Sequence, residues 1–143
     1  MSNITQAVCN SFKAQILEGV HDFDTGGDVF RLSLYTSAAT LNATTTVYTS
    51  TNEVSPTGTY STGGGVLAGQ QVSLDSSVGI VDFADLSFTG VTLTARGALI
   101  YNITEGSKAV CVLDFGADKT ATSGTFTIQF PAFTSSAAIL RIA

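Results

Sequence analysis

A stripe of apolar residues recurs about every four positions near the start of the chain, which is the spacing of one face of an α-helix. The stripe consists of Ile4, Val8, Phe12, Ile16 and the adjacent Leu17. Asn3 occupies the position of a helix N-cap, Gln6 follows three residues later as in a capping box, and Gly19 occupies the position of a helix stop. The pattern predicts an amphipathic helix over about residues 4–18.

From Val29 onward the hydrophobic period changes from about four to two. In the segment VFRLSLY the apolar residues alternate with more polar ones, which predicts a half-buried strand over 29–35. Runs rich in β-branched and aromatic residues predict further strands at 66–74, 78–83, 86–102, 108–115, 124–130 and 137–142. The connection between 86–102 and 108–115 has the length of a hairpin loop, so we expect these two strands to pair antiparallel.

Several short strands separated by turn residues predict a mainly β fold. We expect an antiparallel two-sheet β-sandwich of jelly-roll type, with a barrel as the alternative closure, and one N-terminal α-helix. The predicted organisation is a segment over residues 1–28, containing the helix and its connecting loop, and a β-sandwich over residues 29–143. Together they form a single structural domain, as suits a chain of 143 residues.

The chain carries few charges, and the cations are scattered. Charged residues make up 12% of the sequence, the formal net charge is −5, and hydrophobic residues make up 44%. Nucleic acids and anionic membranes are recognised by clustered Lys and Arg side chains, so we expect neither partner. A surface of Thr, Ser, Gly and Ala suits extensive contact with other proteins, because few charges have to be desolvated.

The first ten residues, MSNITQAVCN, contain neither a basic stretch nor an apolar core, so we expect no Sec-type signal peptide. Apolar runs stay well below the ~18 residues of a membrane span, so we expect no transmembrane helix. Cys9 and Cys111 are far apart in sequence, and without an export signal we expect them to be free, buried thiols.

The stretch HDFDTGGDVF, residues 21–30, contains the single histidine of the chain and invites comparison with a metal site. An EF-hand loop fails here, because Gly26 and Ser33 stand where the fifth and twelfth positions need ligands. A looser metal site built from Asp22, Asp24 and Asp28 remains an alternative. Two glycines and turn-forming aspartates favour instead a joint between the helix and the first long strand.

The remaining candidates for chemistry also lack partners. Zinc would need more ligands than His21 and two distant cysteines provide. The carboxylate pairs Asp82–Asp85 and Asp114–Asp118 suit strand ends better than a glycosidase cleft, and the Gly-rich segment 61–66 has no following lysine to bind phosphate. We therefore predict a protein that is not an enzyme, with no catalytic, cofactor-binding or metal-binding residues and no cofactor.

Arg96 lies within a predicted strand among apolar residues, where a cation needs a carboxylate neighbour. Asp82 or Asp114 on an adjacent strand would supply it. The alternatives are a contact between subunits and a contact with a ligand.

Three stretches carry a resemblance to a known group of proteins. They are LYTSAATLNATTTVYTSTNEV, DFADLSFTGVTLTARGALIYN and KAVCVLDFG. In these stretches the sequence resembles small virion proteins of tailed double-stranded DNA phages, and within that group it looks most like capsid decoration, or cement, proteins. The resemblance extends over most of the chain and includes no catalytic motif.

The resemblance implies a β-rich protein, made in the host cytoplasm, that binds the outside of the capsid and bridges subunits of the major capsid protein, often as a trimer. One alternative is a tail, neck or fibre-attachment protein of the phage. A carbohydrate-binding module is a second alternative. Such modules use exposed aromatic residues, and this chain offers no Trp and only Tyr35, Tyr48, Tyr60 and Tyr101 as tyrosines.

Overall fold

The computed structural model describes residues 3–143. In chain order, the elements are β1 (Asn3–Ile4), β2 (Ala7–Val8), α1 (Asn10–Leu17), β3 (Phe30–Tyr35), β4 (Thr40–Leu41), β5 (Gly65–Val66), β6 (Gln71–Asp75), β7 (Val78–Asp82), β8 (Leu86–Asn102), β9 (Lys108–Ile128) and β10 (Leu140–Ile142). The predicted mainly β class is confirmed. The first two residues of the predicted segment 1–28 lie outside the described residues. No helix within 3–143 is long and apolar enough to cross a bilayer.

The strands β8 and β9 form a long antiparallel hairpin, which confirms their predicted pairing. The sequence separates 108–115 from 124–130, but both belong to the continuous strand β9. The break predicted over residues 116–123 is wrong, since these residues continue the strand. Their backbone pairs with β8 across bulges, with φ of 81° at Gly116 and 44° at Ser123.

This hairpin is the centre of a five-stranded antiparallel sheet in the order β2-β9-β8-β3-β5. Strand β3 is more deeply buried than its sequence predicts. Ser33 and Tyr35, which alternate with the apolar residues, are both fully buried. The loop that contains Thr49 covers their side of the sheet. The Tyr35 hydroxyl donates to the carbonyl of Thr49 at 2.6 Å and accepts from the Ser33 hydroxyl at 3.1 Å.

The other strands form two smaller sheets. One is an antiparallel three-stranded sheet in the order β10-β7-β6, and the other pairs β1 with β4 in parallel. The strands predicted at 78–83 and 137–142 therefore exist, with shorter bounds, but the prediction of a single strand at 66–74 is wrong. That stretch contains the end of β5 and most of β6, which belong to different sheets, and the chain bends between them at Gly69, where φ is 64°. Aromatic rings connect the two larger sheets: Phe30 on β3 lies 5.8 Å from Phe83, measured between ring centroids.

The N-terminal helix is only half as long as the apolar stripe predicts. It begins after Cys9, so the prediction of Asn3 as N-cap is wrong, and residues 3–4 and 7–8 are short strands. The β-branched residues in this stretch favour extended backbone, and its N–H groups find partners in the sheet. For example, Thr5 donates to the carbonyl of Leu41 at 2.9 Å.

The end of the helix follows its prediction. Gly19 adopts φ of 75°, and its N–H and that of Val20 donate to the carbonyls of Ile16 and Gln15 at 3.3 and 3.0 Å. This is the Schellman arrangement, which needs a residue in the left-handed conformation. Leu17 departs from the predicted buried stripe, because its side chain is 89% exposed.

Candidate functional site

The segment His21–Asp28 connects α1 to β3, as the interpretation of HDFDTGGD as a joint requires. Its carboxylates bind its own backbone: Oδ2 of Asp28 accepts the N–H of Asp22 at 3.0 Å, and Oδ1 of Asp22 accepts the N–H of Asp24 at 3.0 Å. At Gly27 an added Cβ would lie 2.6 Å from Cγ of Asp22. In residues 3–143 no group of three or more His, Cys, Asp or Glu side chains is placed to hold a metal ion.

His21 is buried at the inner side of this joint, and both of its ring nitrogens are bonded. Nδ1 accepts the side-chain amide of Asn102 at 3.0 Å, and Nε2 donates to Oε1 of Gln15 at 2.9 Å. The same amide of Asn102 donates to Asp28 at 2.8 Å, while its oxygen accepts the N–H of Glu105 at 3.2 Å. This network assigns the proton of the neutral imidazole to Nε2.

The environment of His21 favours the neutral ring. Burial lowers its pKa below the usual 6.5, and the nearby cation Lys108 lowers it further, while Asp28 acts in the opposite direction. The ring centroid of Phe12 lies 4.9 Å away. His21 is therefore a structural histidine that links the helix, the joint and the end of β8. No local pattern in the sequence indicates its partner Asn102, which lies 81 residues further along the chain.

A second polar network surrounds the carboxylate of Glu53. It accepts the hydroxyl of Tyr48 at 2.5 Å, the hydroxyl of Tyr60 at 2.7 Å and the N–H of Gly63 at 2.8 Å. The Tyr60 oxygen also accepts the N–H of Leu34, on β3, at 2.8 Å. Burial, followed by the hydrogen bond to Glu53, raises the pKa of both tyrosines well above the usual value.

The other two tyrosines of the chain belong to the same region. The hydroxyl of Tyr101 donates to the carbonyl of Gly63 at 2.6 Å, and its ring stacks on that of Tyr48 with centroids 4.7 Å apart. Tyr35, Tyr60 and Tyr101 are each at most 2% exposed. The tyrosines thus hold the long loop between β4 and β5 against the sheet, so they do not form the exposed stacking platform that a carbohydrate-binding module uses.

The glycine-rich segment 61–66 also serves the packing of this loop. Gly64 has φ of 81°, and a Cβ on it would lie 1.8 Å from the carbonyl oxygen of Leu32. The carbonyl of Gly64 accepts Nη2 of Arg31 at 2.9 Å. The glycines therefore allow a close approach of backbone to backbone beside β3.

The ion pair predicted for Arg96 is confirmed with Asp114 as the partner. Nε of Arg96 lies 3.1 Å from Oδ1 of Asp114, and each side chain is about a quarter exposed. The N–H of Gly116 at 2.9 Å is the main reason why the pKa of Asp114 is lowered, and Arg96 adds to it. Asp82, the other predicted partner, has a buried Oδ1 without a hydrogen-bond partner in residues 3–143.

The two cysteines are free and buried, as predicted. Cys9 precedes α1, and Cys111 lies on β9 opposite Val8 of β2. Burial raises the pKa of Cys9 to about 11 and also raises the pKa of Cys111. Both side chains are therefore protonated thiols in the core at neutral pH.

One face of the β8–β9 hairpin is made of exposed hydroxyl side chains, and we name it the hydroxyl face. It consists of Ser87, Thr89, Thr92 and Thr94 on β8 and Thr120, Thr122, Thr125 and Thr127 on β9. Hydroxyls bond across the strands, from Ser87 to Thr127 at 2.9 Å and from Thr94 to Thr120 at 3.0 Å. The opposite face of the same strands is buried in the core, as with Phe88.

A second surface is apolar and lies between α1 and the three-stranded sheet. It is a groove of about 820 Å³, lined mainly by Phe12, Ile16, Leu17, Val72, Leu140 and Ile142. We name it the apolar groove. Leu17 is 89%, Ile142 64% and Val72 51% exposed, and Leu74 beyond Val72 is 70% exposed. Isolated exposed apolar residues are normal on proteins, but a contiguous group indicates a contact surface.

No protein-family model, curated protein or solved structure matches this chain.

Proposed function

We propose that this protein is a non-enzymatic structural protein of a tailed double-stranded DNA phage, which binds the outside of the capsid and stabilises the shell by bridging subunits of the major capsid protein. The resemblance of three sequence stretches to small phage virion proteins supports the assignment to a phage particle. The chemistry of the surface supports a role in packing against protein.

The observation that carries the proposed contact is the hydroxyl face. Its eight side chains are uncharged, so a partner can cover them without desolvating an ion. Each hydroxyl can donate and accept, which allows bonds to the backbone or side chains of a shell subunit. The cross-strand pairs Ser87–Thr127 and Thr94–Thr120 hold part of the surface in place before binding, which lowers the entropic cost of ordering side chains.

We also propose that the five-stranded and three-stranded sheets form the two layers of a β-sandwich. The ring contact between Phe30 and Phe83 supports this arrangement, because Phe30 belongs to β3 and Phe83 directly follows β7. Leu140 of β10 is only 7% exposed and belongs to the same hydrophobic core as Phe30. In a sandwich the inner faces form one core and the outer faces remain free for partners.

A protein that binds the assembled shell but not separate subunits stabilises the shell by mass action. The gain is RT ln(1 + [L]/Kd), or about 2.7 kcal/mol per site at a hundredfold excess over Kd. Many weak sites on one shell together oppose the outward pressure of packed DNA.

The test compares binding of two single variants to phage heads that lack the protein. Thr122→Lys places a charge in the hydroxyl face at an exposed side chain, and Thr5→Lys places the same charge at an exposed threonine outside it. We expect Thr122→Lys to bind heads at least tenfold more weakly than wild type and Thr5→Lys to bind as wild type, measured by co-sedimentation. Equal binding of wild type and both variants to heads would show that the hydroxyl face does not contact the shell. Binding to tails alone would favour the alternative of a tail protein.

A further inference from the structure

Strand β6 is the outermost strand of the three-stranded sheet and pairs, within residues 3–143, with β7 alone. Natural proteins protect such edges with lysine, proline, bulges or covering loops, since an open edge is a template for another strand. The β6 sequence QVSLD contains neither lysine nor proline, and its register with β7 is regular over all five residues.

The register shows which backbone groups of β6 are free. A two-residue turn, Ser76–Ser77, joins Asp75 to Val78, so Asp75 and Val78 form the hydrogen-bonded pair that closes the hairpin. Hydrogen-bonded and non-hydrogen-bonded pairs alternate in antiparallel sheets. The N–H and C=O groups of Val72 and Leu74 therefore point away from β7, toward the open edge.

The side chains of the same two residues are apolar and exposed. Val72 is opposite Val81, and Leu74 is opposite Gly79, so both lie on the sheet face that also carries Ile142. Val72 and Ile142 line the apolar groove. Free backbone groups and uncovered apolar side chains thus coincide at β6.

The pattern of β6 is complementary to itself. When two copies of β6 run antiparallel about a two-fold axis at Ser73, Val72 of each lies opposite Leu74 of the other, and Gln71 lies opposite Asp75 of the second copy. The Val72–Leu74 pairs are then hydrogen-bonded pairs, because all their backbone groups already point to the open edge. Ser73, whose backbone faces β7, forms the non-hydrogen-bonded pair on the axis.

Charge selects the same arrangement. Antiparallel pairing brings the carboxylate of Asp75 beside the uncharged amide of Gln71, whereas parallel pairing in register would bring two Asp75 carboxylates together. The charges that line the apolar groove also cancel, because they are the cations Lys13 and Arg141 and the anions Asp22 and Asp24. A second copy of the chain brings the same balanced set and meets no excess of like charge.

We infer that β6 pairs antiparallel with β6 of a second copy about a two-fold axis at Ser73, which joins two three-stranded sheets into one six-stranded sheet with a continuous apolar face. A two-fold contact of this kind uses the same patch on both copies and closes at a dimer. The dimer replaces the trimer that the phage resemblance implies. The contact is independent of the hydroxyl face, so it can fail while shell binding holds.

The first test is a cross-link on the axis. In a non-hydrogen-bonded antiparallel pair the Cα atoms are about 4.5 Å apart, close enough for a disulfide. Both variants are treated with oxidised glutathione at micromolar protein concentration. We expect Ser73→Cys to form a covalent dimer at least tenfold faster than the matched control Ser61→Cys, whose side chain is also exposed. The native Cys9 and Cys111 are buried and add little background. Equal rates for the two variants would overturn the contact.

The second test measures association without a cross-link. Val72 and Val66 are similarly exposed, at 51% and 48%, and only Val72 lies on β6. In sedimentation equilibrium we expect wild type and Val66→Lys to be dimers, and Val72→Lys to have a dimer Kd at least tenfold higher with an unchanged circular dichroism spectrum. A wild-type monomer, a wild-type trimer, or a Val72→Lys dimer of normal affinity would each overturn the proposal.

Discussion

The side-chain amide of Asn102 donates to Nδ1 of His21 across 3.0 Å, at a point where the helix, the joint and the last residue of β8 meet. The second N–H of this amide is bonded to Asp28, and its oxygen accepts the N–H of Glu105. The amide therefore cannot turn to accept a proton from His21 without breaking both other bonds. A protonated imidazole, which would donate from Nδ1, does not fit this network.

This arrangement predicts a loss of stability in mild acid. The pKa of His21 is lowered in the folded protein, so between the folded value and the unfolded value of about 6.5 the unfolded chain binds more protons. The stabilisation that comes from keeping His21 neutral is complete above pH 6.5. Below pH 6.5 the free energy of unfolding falls, by at most about 1.4 kcal/mol per pH unit. Urea denaturation at pH 7.5 and 5.5 measures the change in the free energy of unfolding.

The matched control for this pH dependence is His21→Gln, which keeps a hydrogen-bonding side chain and removes the titration. Its free energy of unfolding should vary less than that of wild type between pH 7.5 and 5.5. An identical pH dependence in the two proteins would contradict a buried neutral histidine.

The network of Glu53 predicts unequal effects for two tyrosine hydroxyls. Tyr60→Phe removes a donor to Glu53 and the acceptor of the Leu34 N–H at a site that is 1% exposed. It should destabilise the fold by about 1–3 kcal/mol, since a buried N–H loses its partner. Tyr48→Phe removes one hydrogen bond at a half-buried site and should cost about 0.5–1.5 kcal/mol. Thermal or urea unfolding measures which variant is less stable. A larger loss of stability for Tyr48→Phe than for Tyr60→Phe would be inconsistent with the Glu53 network.

The corrected helix predicts different effects at two residues that the apolar stripe treats alike. Phe12 is 6% exposed and contacts His21 and Phe23, whereas Leu17 is 89% exposed. Phe12→Ala should therefore cost about 3–5 kcal/mol, and Leu17→Ala should change the free energy of unfolding by less than about 0.5 kcal/mol. Comparable losses for the two variants would restore the longer helix with Leu17 in the core.

Local patterns predicted those parts of the fold that local interactions decide. The hairpin of β8 and β9 follows from two adjacent strand-like runs with a short connection, and the helix stop at Gly19 follows from the need for a positive φ. The Arg96–Asp114 pair could also be predicted, because an unpaired cation among apolar residues needs a nearby carboxylate.

The errors lie where partners distant in sequence decide the structure. Thr5 belongs to an extended segment because its N–H donates to the carbonyl of Leu41. Nothing in the sequence of residues 3–8 predicts that partner. The sequence also does not show that Tyr48 and Tyr60 share Glu53 as a hydrogen-bond partner, because this requires the loop that follows β4 to fold back over β3. The sequence shows only a high Thr content. The hydroxyl face follows from the pairing of β8 with β9, which brings its Ser and Thr side chains to one side of the hairpin.

We propose that this protein stabilises a phage head from outside. The most direct measurement is the temperature at which DNA is released from phage particles that lack the protein, before and after purified protein is added back. We predict that such particles assemble with full heads, release DNA at a lower temperature than complete particles, and regain the normal temperature on addition of wild type but not of Thr122→Lys. Full heads of normal stability that lack tails or fail to attach to cells would contradict the claim and place the protein in the tail.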